Sequence, residues 1–333
     1  MAVPSLIYNS HFTLGFPGLR YLHPFDNYRA RRAFAELAWQ LGLPPEKSWG
    51  SKLPPAFSLN GLNLLSPSTP ARREDLEIVH TAKYLDSLKR SAVVARAIEV
   101  APLALAPRSF LEWCLVRPMR WAVAGTLLAA REALRDGLAF SLAGGFHHAK
   151  PDRGEGFCIF NDIAYAIKSL RREGLLKTVL YVDLDAHQGN GMSYVFLEDT
   201  SVKLFDMYNG DIYPYDEEES RARLDVSYPL DTDTGDREYL DLLEKELPIF
   251  LDAFEDADIL FYNAGSDVVV GDRLGALSLS REAVLQRDLY VIREARRRKI
   301  PLVFLPSGGY TKESYLLITR SIVAALQELL SEG

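Results

Sequence analysis

Four short apolar runs, each closed by a cluster of polar residues, constrain this chain more than any other feature. Residues 139–143, 179–182, 259–262 and 302–305 carry no charge and alternate with longer amphipathic stretches. A run of this kind between helices predicts a strand buried on both faces, and such strands belong to a parallel sheet covered by helices. Helices are predicted over 28–41, 73–90, 120–136, 161–173, 237–254, 281–298 and 311–330. No repeat, low-complexity block or linker divides the chain, so one domain over 1–333 is expected. Residues 1–110, punctuated by Pro44-Pro45, Pro54-Pro55 and the turn at 67–70, are expected to form a loop-rich outer layer.

The polar closures are Gly144-Gly145-Phe146-His147-His148, Asp183-Leu184-Asp185-Ala186-His187, Asn263-Ala264-Gly265-Ser266-Asp267 and Pro306-Ser307-Gly308-Gly309-Tyr310. Ligands of open α/β sheets sit outside the carboxyl ends of the strands. The four segments are therefore expected to meet in one cleft.

Asp185 and His187 stand two apart, which on an extended strand end turns both side chains to one side. With Asp267 they offer two carboxylates and an imidazole, a set that suits a divalent first-row ion and leaves coordination open. Zinc is the first expectation and iron(II) the second. Such an ion lowers the pKa of bound water toward ~7, and hydrolysis then needs a proton carrier. His147 and His148 are adjacent candidates, with Asp183 and Asn190 available to orient the rings from their other nitrogens. A carboxylate partner favours imidazolium, so His147 on Asp183 is expected to stay cationic while His148 on Asn190 cycles its proton.

Tyr310 can aim a phenol at a tetrahedral oxyanion, and the glycines at 145 and 309 permit close backbone approach to a ligand. Gly156-Phe157 and Tyr213 suggest two facing rings around a narrow channel for an alkyl chain. Taken singly, each residue has an ordinary explanation as a cap, a packed ring or a core group. Together they point to metal-assisted amide hydrolysis.

Composition narrows the partners. With 38 Lys and Arg against 45 Asp and Glu the formal charge is −7, which lacks the cationic footprint that nucleic acid requires. The longest uncharged apolar stretch, 121–130, is too short to span a bilayer, and the N-terminus carries no basic leader. Only two cysteines occur, Cys114 and Cys158, so buried thiols in a reducing cytoplasm are expected. The acid run 216–219 reads as a solvated loop.

At this point the residues resemble the zinc-dependent histone deacetylase family, its class IV branch and bacterial relatives above all. The resemblance runs through Leu22-His23-Pro24-Phe25-Asp26, Val79-His80-Thr81 with Tyr84-Leu85, and residues 144–148, 153–162, 182–191, 208–214, 262–277 and 307–310. It implies an arginase-like single-domain α/β fold, with a mostly parallel central sheet flanked by helices and the site at the strand C-terminal ends. The implied reaction is hydrolysis of an acylated amine, typically Nε-acyl-lysine in a protein or peptide.

Carried over by position, the resemblance makes Asp185, His187 and Asp267 the zinc ligands, Tyr310 the oxyanion donor, His148 the general base and acid, and His147 mainly electrostatic. It implies a structural potassium or sodium ion on Asp183, Asp185 and Asp206, with backbone oxygens including that of His187. His187-Gln188-Gly189-Asn190-Gly191 departs from the class I pattern Asp-x-His-His-Gly-Asp-Gly. With Asp272-Arg273-Leu274-Gly275 it resembles class IV, whose members favour long fatty acyl chains. Other relatives act on acetylated polyamines or serve acetoin utilisation. Two further readings are a binuclear manganese ureohydrolase, which needs a carboxylate where this chain has Gly189, and a silent acyl-lysine binding module. Oligomeric state is left open.

Overall fold

Among the described residues nine strands build one sheet in the order β2-β3-β1-β4-β9-β8-β5-β6-β7. They are β1 (Ser5–Ile7), β2 (Ala56–Leu59), β3 (Leu62–Leu65), β4 (Leu138–Ser141), β5 (Val179–Asp183), β6 (Val202–Asn209), β7 (Val226–Leu230), β8 (Ile259–Asn263) and β9 (Leu302–Leu305). The computed structural model describes residues 3–43, 56–59, 61–215 and 217–331. Every neighbouring pair is parallel except β2 with β3. The expectation of a mostly parallel sheet flanked by helices therefore holds.

The four charge-free runs are the adjacent central strands β4, β9, β8 and β5. All residues of these strands are buried, as full burial on both faces requires. Because the four strands are parallel neighbours, their carboxyl ends lie side by side along one edge. That is the physical reason the four polar closures can meet.

The helices are α1 (Arg29–Leu41), α2 (Ala82–Ser87), α3 (Ser91–Ala97), α4 (Arg108–Leu111), α5 (Arg117–Asp136), α6 (Asp162–Arg172), α7 (Asn190–Val195), α8 (Glu218–Arg223), α9 (Asp236–Asp252), α10 (Arg281–Arg297) and α11 (Ser314–Ser331). A short π-helical stretch, Glu112–Val116, joins α4 to α5. Helices α5 and α6 pack as a pair, while α1, α11, α10 and α9 pack in series. The Asn161 side chain caps α6 by accepting the Ala164 N–H at 2.9 Å, and Ser280 caps α10 through the Ala283 N–H at 3.1 Å. Among the described residues no helix is long and apolar enough to cross a membrane.

Two expectations are corrected. The N-terminal segment is not only an outer layer, because β1, β2 and β3 extend the sheet from it. The helix predicted over 73–90 is broken into a 3-10 turn (Asp75–Ile78) and α2, with α3 following. The break is at Thr81, whose N–H goes to Pro151 O and whose hydroxyl accepts the Tyr84 N–H at 3.2 Å, starting α2 afresh. Pro44-Pro45, Pro54-Pro55 and Asp216 lie outside the described residues.

Candidate active site

β5 ends in Asp183, and the chain beyond it bends so tightly that its backbone donors turn onto carboxylates. Asp185 N–H donates to Asp183 Oδ1 at 3.1 Å and His187 N–H to Asp185 Oδ1 at 3.0 Å. From β8, Asp267 Oδ1 accepts the Ala186 N–H at 2.9 Å; from β9, Gly308 N–H donates to Asp185 Oδ2 at 2.8 Å. Three strand ends are thus laced together by the acids themselves.

Within this frame His187 Nδ1 lies 3.1 Å from Asp185 Oδ1 and 3.0 Å from Asp267 Oδ2. One ligating atom from each of Asp185, His187 and Asp267 falls within 4.8 Å of the others, and all three residues are buried. Burial and the Asp185 charge push the Asp267 carboxyl up to about 7. Burial alone would lower His187, yet the two carboxylates raise it to about 10. Two acids this close need a compensating positive charge, which a protonated His187 or a divalent cation can supply. Carboxylate oxygens with an imidazole fit such an ion chemically.

The loop after β4 carries the two histidines and hangs on a buried acid. Asp162, the first residue of α6, accepts the Gly145 N–H at 3.0 Å, the Phe146 N–H at 2.7 Å and the Thr126 hydroxyl at 2.5 Å. Gly145 has φ +89°, and a Cβ there would come within 2.7 Å of the Ser307 Cα. Only glycine lets this loop lie against the β9 loop.

His147 Nδ1 faces Asp183 Oδ2 at 2.8 Å, and His148 Nδ1 faces Asn190 Oδ1 at 2.8 Å. His147 Nε2 reaches to 3.8 Å from Asp185 Oδ1. Burial disfavours charge on both rings, but at His147 the Asp183 and Asp185 carboxylates outweigh it and the pKa is raised. At His148 burial is joined by the neighbouring His147 and His187, and the pKa falls well below 6.5. The surroundings thus bias His147 toward its charged form and His148 toward its neutral form.

Tyr310 follows Gly308 and Gly309. Its backbone N–H donates to Asp272 Oδ2 at 2.7 Å, and its ring stands edge-on to His187, centroids 6.1 Å apart. Burial and the nearby Asp267 and Asp185 raise its phenol well above 10, so it stays protonated and able to donate. Behind the cluster, Asp206 pairs in register with Asp183 across β5 and β6. Its Oδ2 accepts the Gly189 N–H at 2.9 Å, while its buried Oδ1 has no hydrogen-bond partner. A carboxylate oxygen left this way fits a cation ligand.

A cavity opens onto the histidines and Tyr310. Gly145, Gly156 and Phe157 line it, with Leu14, Leu19, Phe25, Ile98, Leu115 and Met119 forming an apolar wall. Of the two rings expected to flank a channel, Phe157 lines this cavity and Tyr213 does not. Tyr213 packs edge-on to His148 at 5.1 Å, while Phe157 meets His23 at 4.1 Å and Tyr310 at 5.8 Å. Phe157 takes φ +66°, and the His23 it meets belongs to the N-terminal layer. Neither Tyr213 nor Gly309 is among the residues lining the cavity; a Cβ at Gly309 would meet Ser266 and Arg29 instead.

Sequence reasoning missed Asp162 and Arg287 and took Asp272 only as a family marker. Arg287 Nη1 donates to the carbonyls of Leu184 at 2.9 Å and Gly265 at 2.8 Å, joining the two loops that carry Asp185 and Asp267. The available signal was its phase: Val284, Arg287, Asp288 and Val291 share the buried face of α10. The acid run is also not simply solvated, because Glu217 bonds Lys150 and Asn190.

A protein-family model described as the histone deacetylase domain matches residues 23–326. Histone deacetylase 2 of Arabidopsis thaliana is 39% identical over 318 residues, covering 96% of this chain and 77% of that protein. A probable deacetylase of Methanothermobacter thermautotrophicus is 31% identical over 265 residues, 77% of this chain and 76% of that one. The crystal structure of an HDAC homolog complexed with SAHA has a TM-score of 0.71 at 24% identity, covering 99% of this chain and 84% of that chain. That likeness shows the fold.

Proposed function

Because the chain belongs to the histone deacetylase family, and is a hydrolase of the deacetylase type, we propose that it cleaves the amide of an acylated amine, Nε-acyl-lysine first. Asp185, His187 and Asp267 would hold a divalent ion, zinc before iron(II). Bound there, such an ion polarises the scissile carbonyl and lowers the pKa of water toward ~7. His148, anchored through Nδ1, takes the proton of the attacking water and returns it to the leaving amine. His147, kept cationic by Asp183, adds positive charge beside the developing oxyanion, and the protonated Tyr310 donates to it. Asp183 and Asp206 would share a potassium or sodium ion behind the site, with Asp185 and the His187 carbonyl.

The observation that carries this reading is the buried Asp-His-Asp group beside two histidines whose surroundings, carboxylates at His147 and burial with neighbouring imidazoles at His148, push their pKa values apart. The apolar wall of the cavity supports an acyl group longer than acetyl. Asn190 opposite His148 supports a class IV-like assignment. Cys114 and Cys158, both free and buried, suit a reducing compartment such as the cytoplasm. Acylated polyamines would use the same chemistry. A ureohydrolase is disfavoured, since a Cβ at Gly189 would lie 2.6 Å from Asp183 Oδ2 and leaves no room for a bridging carboxylate.

The test is a hydrolysis panel of acetyl- to myristoyl-lysine peptides on metal-quantified protein. Tyr310→Phe should keep its metal and lose ~10²-fold or more in kcat, the effect of removing one oxyanion donor. Turnover that survives chelation, or a Tyr310→Phe variant as fast as wild type, would overturn the mechanism. Tight binding of acyl peptide without product would favour the silent binding module.

A further inference from the structure

Behind His148 lies a group of charges that the reaction above leaves unused. Asn190 Oδ1 faces His148 Nδ1 at 2.8 Å and also accepts the Gly191 N–H at 3.0 Å. Its Nδ2 donates to Glu155 Oε1 at 2.8 Å and to Glu217 Oε1 at 3.2 Å. Both carboxylates close on Lys150, whose ammonium lies 3.0 Å from Glu155, 2.5 Å from Glu217 and 4.4 Å from the Tyr194 ring centre. The Lys150 side chain is only 2% exposed. A buried ammonium is costly unless paired, and here two acids surround it. Burial would raise the Glu217 carboxyl, but Lys150, Tyr194 and Asn190 hold it below its ordinary value, so it stays ionised.

An asparagine amide can in general be turned over, exchanging its donor and acceptor ends. Here it cannot without penalty. Ionised carboxylates only accept, so Nδ2 must face Glu155 and Glu217, and Oδ1 is left for His148. An acceptor opposite Nδ1 places the ring proton on Nδ1 and leaves Nε2 as the basic nitrogen.

We propose that Lys150, Glu155 and Glu217 are positioning residues that lock the Asn190 amide and thereby fix His148 as its Nδ1–H tautomer. This rests on the reading of His148 as the base. It also accounts for the neutral residue at 190. An aspartate there would be a third carboxylate against two others, whereas asparagine keeps the acceptor toward His148 and moves the net negative charge of the triad one side chain further back.

The experiment is Glu217→Gln on the zinc-loaded full chain, with Glu155 left to pair Lys150. A glutamine amide can donate or accept, so the lock loosens. The readouts are the ¹⁵N shifts of the His148 ring, assigned by comparison with His148→Gln, together with kcat, KM, metal content and thermal midpoint. Wild type should show the Nδ1–H pattern. Glu217→Gln should show a mixed tautomer and a kcat about tenfold lower, with KM changed less than about threefold, since general-base catalysis contributes ~10²–10⁴-fold in all. Adding Asn190→Asp, which can only accept, should restore the Nδ1–H pattern and most of kcat in that background. A folded, metal-loaded Glu217→Gln protein with a wild-type ring pattern and kcat would overturn the proposal, as would failure of Asn190→Asp to restore the pattern. Should wild type show the Nδ1–H pattern and Glu217→Gln the mixture, yet neither cleave any acyl amine, the lock stands and the assigned reaction fails.

Discussion

Replacing Arg287 with methionine separates fold stability from metal affinity. The Arg287 side chain is fully buried, pairs with Asp288 at 2.8 Å and donates to two backbone carbonyls from one nitrogen. Methionine fills much of the volume but leaves the carbonyls of Leu184 and Gly265 without their donor. Asp288 loses its countercharge but keeps the Tyr262 and Ser321 hydroxyls at 2.5 and 2.6 Å. Removing one member of a buried ion pair costs ~3–5 kcal/mol; the two retained hydroxyls argue for the lower end, about 3. At ~2–4 °C per kcal/mol for domains of roughly 150–250 residues, and less for a longer chain, the melting midpoint should fall by roughly 5–10 °C.

The two carbonyls stand immediately before Asp185 and two residues before Asp267. Freeing them should spread the proposed ligand positions and, on the proposed reading, weaken zinc binding by about tenfold, the lower end for loss of a supporting contact. Calorimetric melting reads the first effect, and competition with a chromophoric chelator reads the second. Arg287→Lys, which keeps a charge but not the fork, should fall between. A variant that melts lower yet binds zinc within twofold of wild type would show that Arg287 braces the fold without positioning the ligands. A variant unchanged in both would refute the cost assigned to the buried pair.

Asp162→Asn sets an amide donor against one of the two backbone N–H groups its carboxylate now accepts, and should cost about 1–3 kcal/mol with a drop in turnover, read by melting and by kcat. Burial lowers the His80 pKa from 6.5 to about 4; its Nδ1 meets Lys150 O and its Nε2 accepts the Asn161 N–H, so the folded ring stays neutral. Between pH 6.5 and 4 the unfolded chain takes up this proton and the folded one does not. Stability should therefore fall with falling pH by up to about 3 kcal/mol, a slope that His80→Gln reduces in denaturant titrations. Leu14→Trp, on the apolar wall of the cavity, should abolish turnover of long acyl chains while sparing acetyl by comparison; equal loss on both would remove the cavity from the acyl path.

The central strands were legible because their apolar runs carry no charge, and a charge-free run between helices has few alternatives to a doubly buried strand. β6 was not, since Lys203 and Asp206 interrupt its apolar pattern. Asp206 makes sense inside a sheet only once Asp183 is beside it. β1 spans three residues, too short for any periodicity to show. At the site, Asp185, His187, Asp267, both histidines and Tyr310 could be read because they close recognisable strand ends. Their supports could not. Asp162, Lys150, Glu217 and Arg287 are charged residues on helices and loops, and sequence alone places such residues in solvent. Their partners come from segments far away in the chain: Lys150 from Glu217, Asp162 from Thr126, Arg287 from Leu184 and Gly265.

The same supports explain how this edge of the sheet can be so acidic. Asp162, Asp183, Asp185, Asp206, Asp267 and Asp272 are all buried along it. Backbone N–H groups engage each of them, yet Asp206 Oδ1 is left without a partner, and Asp185 Oδ1 and Asp267 Oδ2 converge on the same nitrogen of His187. Hydrogen bonds can stabilise an ionised carboxylate, but they do not remove mutual repulsion among several at close range. The incompletely satisfied oxygens are also the ones a cation would reach. The arrangement is therefore easier to understand as a cation-binding edge, where backbone donors fix the geometry and bound positive charge offsets what they leave, than as a set of structural caps that happens to hold two histidines and a tyrosine.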